Sequence, residues 1–189
     1  MNGGLILVAV LVGGGLYLIS IYNRLVALRQ SADAAWSDID VQLKRRYNLI
    51  PALVETVKGY KEYEADTLEK VVRARQLGLN AQTVKEHEEA DNMLTQALGR
   101  LFALAEAYPD LKANVNFLDL QQQLSEIESA IQNARRYYNA VVRDYNTRIE
   151  SFPDLLIAQK YGFRPKEFFE LEANEAEAVK TMPRIDLGG

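Results

Sequence analysis

The chain has 189 residues, with 22 Lys and Arg against 26 Asp and Glu, a formal net charge of -4. That length allows one domain with a real core, and the mild acidity argues against nucleic acid, whose phosphates need a concentrated basic surface. There is no cysteine, which excludes disulfides, thiolate metal sites, a cysteine nucleophile and a lipid-bearing cysteine anchor.

Residues 5–22, "LILVAVLVGGGLYLISIY", carry no charge, and the first basic side chain is Arg24. As a helix this run is roughly 27 Å long, enough to cross a hydrocarbon core of about 30 Å. Tyr17 and Tyr22 suit an interfacial belt at its end. The preceding "MNGG" has no basic side chain, no small-x-small cleavage site follows, and helical spacing resumes at Leu25. Residues 1–22 therefore read as an uncleaved transmembrane anchor contacting the lipid bilayer, and not as a signal peptide. Ala9 and Gly13 form a small-xxx-small pair through which anchors could pack into a homo-oligomer. Arg24 and Arg29 flank the C-terminal side, so the positive-inside rule favours an N-terminus outside and a cytoplasmic body.

Beyond residue 22 apolar residues recur every three or four positions, and no stretch alternates with period two. The first body helix carries Leu25, Leu28, Ala32, Ala35, Ile39 and Leu43 and runs to about Arg46. In "RRYNLIP" (45–51), Asn48 has the side chain of an N-cap and Pro51 then falls in the first turn, where its missing N–H does no harm. This predicts a chain reversal at 46–50, with Asn48 and Pro51 as its structural residues. It displays Arg45 and Arg46 at the tip farthest from the anchor as candidate partner contacts. The second helix is predicted from about Leu49 to Gly78, the third from about Thr83 to Tyr108 before Pro109, and the fourth from Phe117 to Phe152 before Pro153. A short helix over 154–161 ends at Gly162, after which Phe163, Phe168 and Phe169 need burial.

Short links make neighbours antiparallel. The predicted fold is all-α: an up-and-down antiparallel four-helix bundle with a short C-terminal helix over 23–163, preceded by the transmembrane helix. The acidic tail 164–189 is expected to be disordered in part.

Little in the chain suggests catalysis. His87 is the only histidine, and a di-iron bundle needs two Glu-x-x-His motifs. The consecutive Glu86, Glu88, Glu89 and Asp91 point around the helix and do not converge. No phosphate-binding glycine loop is present. No catalytic, cofactor-binding or metal residue is predicted. The dipeptide Tyr-Asn recurs at 22, 47, 138 and 145. Tyr138 and Tyr145, seven apart on one helix face, are candidates for setting bundle register by hydrogen bonding.

Two blocks resemble the LemA family. One is "YNRLVALRQSADAAWSDIDVQLKRRYNLIPALVETVKGY" with "VVRAR". The other is "ALAEAYPDLKANVNFLDLQQQLSEIESAIQNARRYYNAVVRDYN" with "FPDLLIAQKYGF" and "FFE". The resemblance runs from Tyr22 to about Glu170. It implies a bacterial, single-pass membrane protein with a four-helix bundle and no established enzymatic activity, some relatives belonging to the magnetosome membrane. Relatives commonly have Asp at the place of Asn48, and many carry a lipoprotein cysteine where this chain has Ser20 and Ile21. Such relatives would place the body outside the cytoplasm, against the orientation from Arg24 and Arg29. The expected role is a non-enzymatic scaffold or adaptor for other membrane proteins in the inner membrane. An envelope signalling or lipid-organising module and an enzyme or metal-binding bundle are the alternatives.

Overall fold

The computed structural model describes residues 2–59 and 65–169, and they form an all-α fold. Six helices follow in order: α1 (Asn2–Lys58), α2 (Ala65–Asn80), α3 (Val84–Ala105), α4 (Pro109–Lys112), α5 (Val115–Glu150) and α6 (Asp154–Tyr161). Two compact units divide the chain: Met1–Leu49 with Leu120–Phe168, and Ile50–Asp119 with the residues from Phe169.

In the first unit α1 and α5 pair antiparallel. Arg46 meets Glu128, Trp36 meets Tyr138, and Leu25 shares a buried cluster with Tyr145 and Ile149. Position therefore rises along α1 as it falls along α5. Most of the stripe that spacing predicts is buried: Leu25, Ala32, Ala35, Ile39 and Leu43 face inward on α1, and Leu124, Ile127, Ile131, Tyr138 and Tyr145 on α5, while Leu28, Ala134 and Val141 are half-buried, Phe152 is exposed, and Arg135 and Val142 are buried instead. Each large apolar side chain so buried contributes roughly 1.5–3 kcal/mol. The core thus sits on a seam of three-and-four spacing.

In the second unit α2 and α3 form a hairpin joined by residues 81–83. The link is fixed by a capping box: Thr83 Oγ1 accepts from the Glu86 N–H at 3.2 Å, and Glu86 Oε2 accepts from the N–H groups of Thr83 and Gln82 at 3.1 and 2.7 Å. These backbone donors hold the Glu86 carboxyl below its ordinary value. Leu68, Val71 and Ala74 are buried on α2, as are Leu94, Leu98 and Leu101 on α3. Pro109 opens α4 at its first turn, and Asn114 Oδ1 accepts from the Phe117 N–H at 3.0 Å to cap α5.

The predicted reversal at 46–50 does not occur. α1 runs unbroken through Asn48 and Pro51 to Lys58 and ends at Gly59. Asn48 is an exposed mid-helix residue and caps nothing. Pro51 removes one helical hydrogen bond, to the Tyr47 carbonyl, at a cost of about 3 kcal/mol. Its ring lies on an exposed face of α1. Ile50, Leu53, Val54 and Val57 are all buried and keep the helical spacing through the proline. Burial of four such side chains outweighs the lost bond. The other boundaries move by a few residues: α2 continues past Gly78 to Asn80, α3 ends at Ala105, and α5 starts at Val115. The segment "ELEANEAEA" (170–178) lies outside the described residues.

If α1 is continuous, Pro51→Ala restores the missing bond. Urea denaturation followed by circular dichroism should show a gain of about 1–2 kcal/mol. A loss of that size would mean that Pro51 shapes a turn.

Candidate functional site

The chain's chemistry-bearing residues gather at three places. The first is the surroundings of Arg45 and Arg46, which diverge. Arg45 is exposed, bonds Gln42 Oε1 at 3.2 Å, and lines a shallow cleft of about 180 Å³ with Gln42, Gln123, Glu126, Ile127 and Ala130. Arg46 is 3% exposed and reaches Glu128 at 2.9 Å. The other oxygen of Glu128 accepts from the Gln132 amide at 2.9 Å. Arg46 is thus a core ion pair between α1 and α5 and is not displayed to a partner. The spacing concealed this because a basic pair on a helix ordinarily faces water.

The second is a clamp on the chain after α6. Gly162 takes the left-handed conformation, with φ 71°, that a helix C-cap requires. Residues 163–168 then form a strap without regular secondary structure, and α5 holds it by the backbone of Arg164, Lys166 and Glu167. The Tyr145 hydroxyl donates to the Arg164 carbonyl at 3.0 Å, and the Tyr138 hydroxyl to the Glu167 carbonyl at 2.8 Å. The Asn146 side chain bonds both backbone groups of Lys166, each at 2.9 Å. The Lys166 ammonium crosses to Asp33 on α1 at 2.6 Å. Phe163 is buried and Phe169 wholly so, while Phe168 stays 42% exposed, against the expectation that all three are buried. The two tyrosines sit on one face of α5 as their spacing requires, but their hydroxyls bond the returning strap and not a facing helix. Asn146, Lys166 and Asp33 carried no predicted role. The repeated Tyr-Asn was the signal for Asn146; Lys166 and Asp33 are 133 residues apart, and sequence gives no sign of their meeting.

The third is the junction of α1 with α6. Every residue from Gly3 to Ser20 is exposed, and burial begins at Ile21. Ile21 and Leu25 then pack with Tyr145, Ile149, Ile157, Ala158 and Phe163. The Tyr22 ring meets Tyr161 at 4.9 Å and Phe163 at 5.8 Å, both edge-on. The carboxylate of Asp154 is buried and paired with Arg148, fixing the start of α6 to the end of α5.

His87 is half-buried on α3 and Asp91 is buried. Among the described residues no three His, Cys, Asp or Glu side chains stand close enough to hold a metal.

An all-α protein whose first helix bares an apolar run long enough to cross a bilayer, and whose body is pinned to the end of that run, is the class these features define. The chain belongs to the LemA family, whose model matches residues 35–184. It is 29% identical over 158 residues to Protein LemA of Metamycoplasma hominis, across 83% of this chain and 71% of that protein. It is 26% identical over 175 residues to Magnetosome protein MamQ 2 of Paramagnetospirillum magneticum and 26% over 174 residues to Magnetosome protein MamQ of Magnetospirillum gryphiswaldense. Those matches cover 79% and 78% of this chain and 64% of each magnetosome protein, so the chain spans just under two thirds of their length. The likeness read from the two sequence blocks is this family.

Two measurements check the geometry. Arg46→Ala should lower unfolding free energy by about 1–3 kcal/mol, through the lost packing of its buried stem and the partner removed from the half-buried Glu128 carboxylate. Arg45→Ala should change it by less than about 0.5 kcal/mol; equal effects in chemical denaturation would refute the division. The second concerns Tyr138, which burial first, and then the charges of Glu167 and Asp33, push up to about 12 from 10.0. The native state then holds a proton that the unfolded state has released, so stability falls as pH rises from about 10 to about 12. An ultraviolet phenolate titration should show a late step that Tyr138→Phe abolishes.

Proposed function

We propose that the protein is a single-pass, membrane-anchored, non-enzymatic scaffold or adaptor for other membrane proteins, and that it also associates with itself through its anchor. The observation that carries this reading is the change of character within α1. The helix is apolar and exposed from Leu5 to Ile19 and becomes core at Ile21 without a break. Contiguous apolar surface of that extent is unfavourable in water and normal in hydrocarbon, where a helix also satisfies its own backbone. Nothing lies within 4 Å of a Cβ built on Gly13, Gly14 or Gly15. That leaves room for a second helix to approach at the small residues Ala9 and Gly13. Family membership supports the non-enzymatic part, and relatives named for the magnetosome support a role in a larger assembly. Arg24 and Arg29 favour an N-terminus outside and a cytoplasmic body. Arg45, exposed beside its cleft, is the side chain we assign to partner contact.

The test is extraction followed by crosslinking in native membranes. The full chain should stay in the pellet at alkaline pH in carbonate, and a chain lacking residues 2–20 should be released yet keep its helical circular dichroism. Crosslinking with mass spectrometry should recover protein neighbours or a second copy. Release of the full chain would overturn the anchor, and recovery of lipid adducts alone would overturn the scaffold.

A further inference from the structure

Helix α6 packs beside the last turn of the apolar run. Between the two lies a cleft of about 190 Å³, lined by Leu18, Ile19, Tyr22, Ile157, Lys160 and Tyr161. Its floor is aliphatic, and its rim carries one ammonium and two phenols. On the outer side Phe152, just before α6, is 80% exposed and Leu156 57%, beside the exposed Gln159 and Lys160. Lys160 stands four residues after Leu156, on the same helix face. The clamp on residues 163–169 and the Arg148–Asp154 pair hold this arrangement from both ends.

We propose that α6 with Phe152 is a second membrane contact, seated in the interfacial layer of the bilayer that α1 enters. Phe152 and Leu156 reach the acyl boundary, Tyr161 lies at headgroup depth beside Tyr22, and Lys160 pairs with the phosphate of an anionic phospholipid. This rests on the anchoring proposed above. Continuity commits the surface to lipid: the Tyr161–Tyr22 contact places α6 at the end of a run whose every side chain is exposed. The apolar surface of α6 is therefore the extension of the surface of α1. Aromatic, aliphatic and lysine side chains on one short element are what an interfacial segment uses. Arg24, Arg29 and Arg164 are exposed on the segments around it, with Arg29 lying 5.1 Å from the Phe163 ring centroid. Such a cluster attracts an anionic leaflet. A lone span can tilt and swivel, and a second foothold fixes how the α1–α5 pair stands on the membrane.

The absence of cysteine makes the test clean. An environment-sensitive fluorophore is placed on Leu11→Cys, Leu156→Cys or Val41→Cys in the full chain, in vesicles of equal parts phosphatidylcholine and phosphatidylglycerol. Val41 is exposed and stands roughly 28 Å along the helix from Tyr22. Lipids with shallow nitroxides should quench the Leu156 label several-fold more than the Val41 label. Lys160→Glu, or vesicles of phosphatidylcholine alone, should cut that difference several-fold. The Leu11 label, read with deep nitroxides, reports the anchor by itself. Quenching at Leu11 with Leu156 no different from Val41 overturns the second contact and leaves the anchor standing. Quenching at neither overturns both. A blue-shifted Leu156 label that lipid nitroxides do not reach means that protein covers this face, and the proposal falls.

Discussion

The junction of α1, α5 and α6 depends on Tyr145. Its ring is 1% exposed and packs with residues of α1, α5 and α6 and with Phe163 of the strap. Its hydroxyl has one task there, to hold the Arg164 carbonyl. A phenylalanine could fill the space but would leave that carbonyl without its donor, and a smaller residue would open the centre of the cluster. Burial raises the Tyr145 phenol above its ordinary value. The start of the buried part of α1 thus meets the end of α5, α6 and the strap at one amphipathic side chain.

The junction matters because of what lies on its other side. From Gly3 to Ser20 every residue of α1 is exposed among the described residues. One helix therefore has two characters. Its first third is suited to hydrocarbon, and the rest carries a buried stripe suited to water. The change falls within one turn, at Ile21 and Tyr22, where the tyrosine turns its ring toward Tyr161 and Phe163 while staying 37% exposed.

Arg46 and Pro51 show why local rules misread the middle of α1. Asn48 followed by a proline three residues later is a good helix start, and a basic pair beside it suits a displayed turn. Both readings are local. The buried spacing before Pro51 and after it stays in phase, and that outweighs one lost hydrogen bond. Arg46 is turned inward because Glu128 waits on α5 to receive it, which no window of α1 can reveal. The α6 terminus at Gly162 and the start of α3 at about Thr83, by contrast, stand where the sequence analysis placed them, since each is decided by groups within a few residues.

The sequence alone determined the helical class, the seam residues of α1 and α5, the apolar run at the start and the family, because periodicity and run length are properties of the chain itself. Only the tertiary structure decided that α1 continues past Pro51, that Arg46 is core, and that Tyr138, Tyr145 and Asn146 grip the returning strap. It also decided that α6 is brought to the end of the apolar run. Those outcomes come from pairings between residues tens of positions apart, where burial and satisfied polar groups override what each segment would prefer by itself.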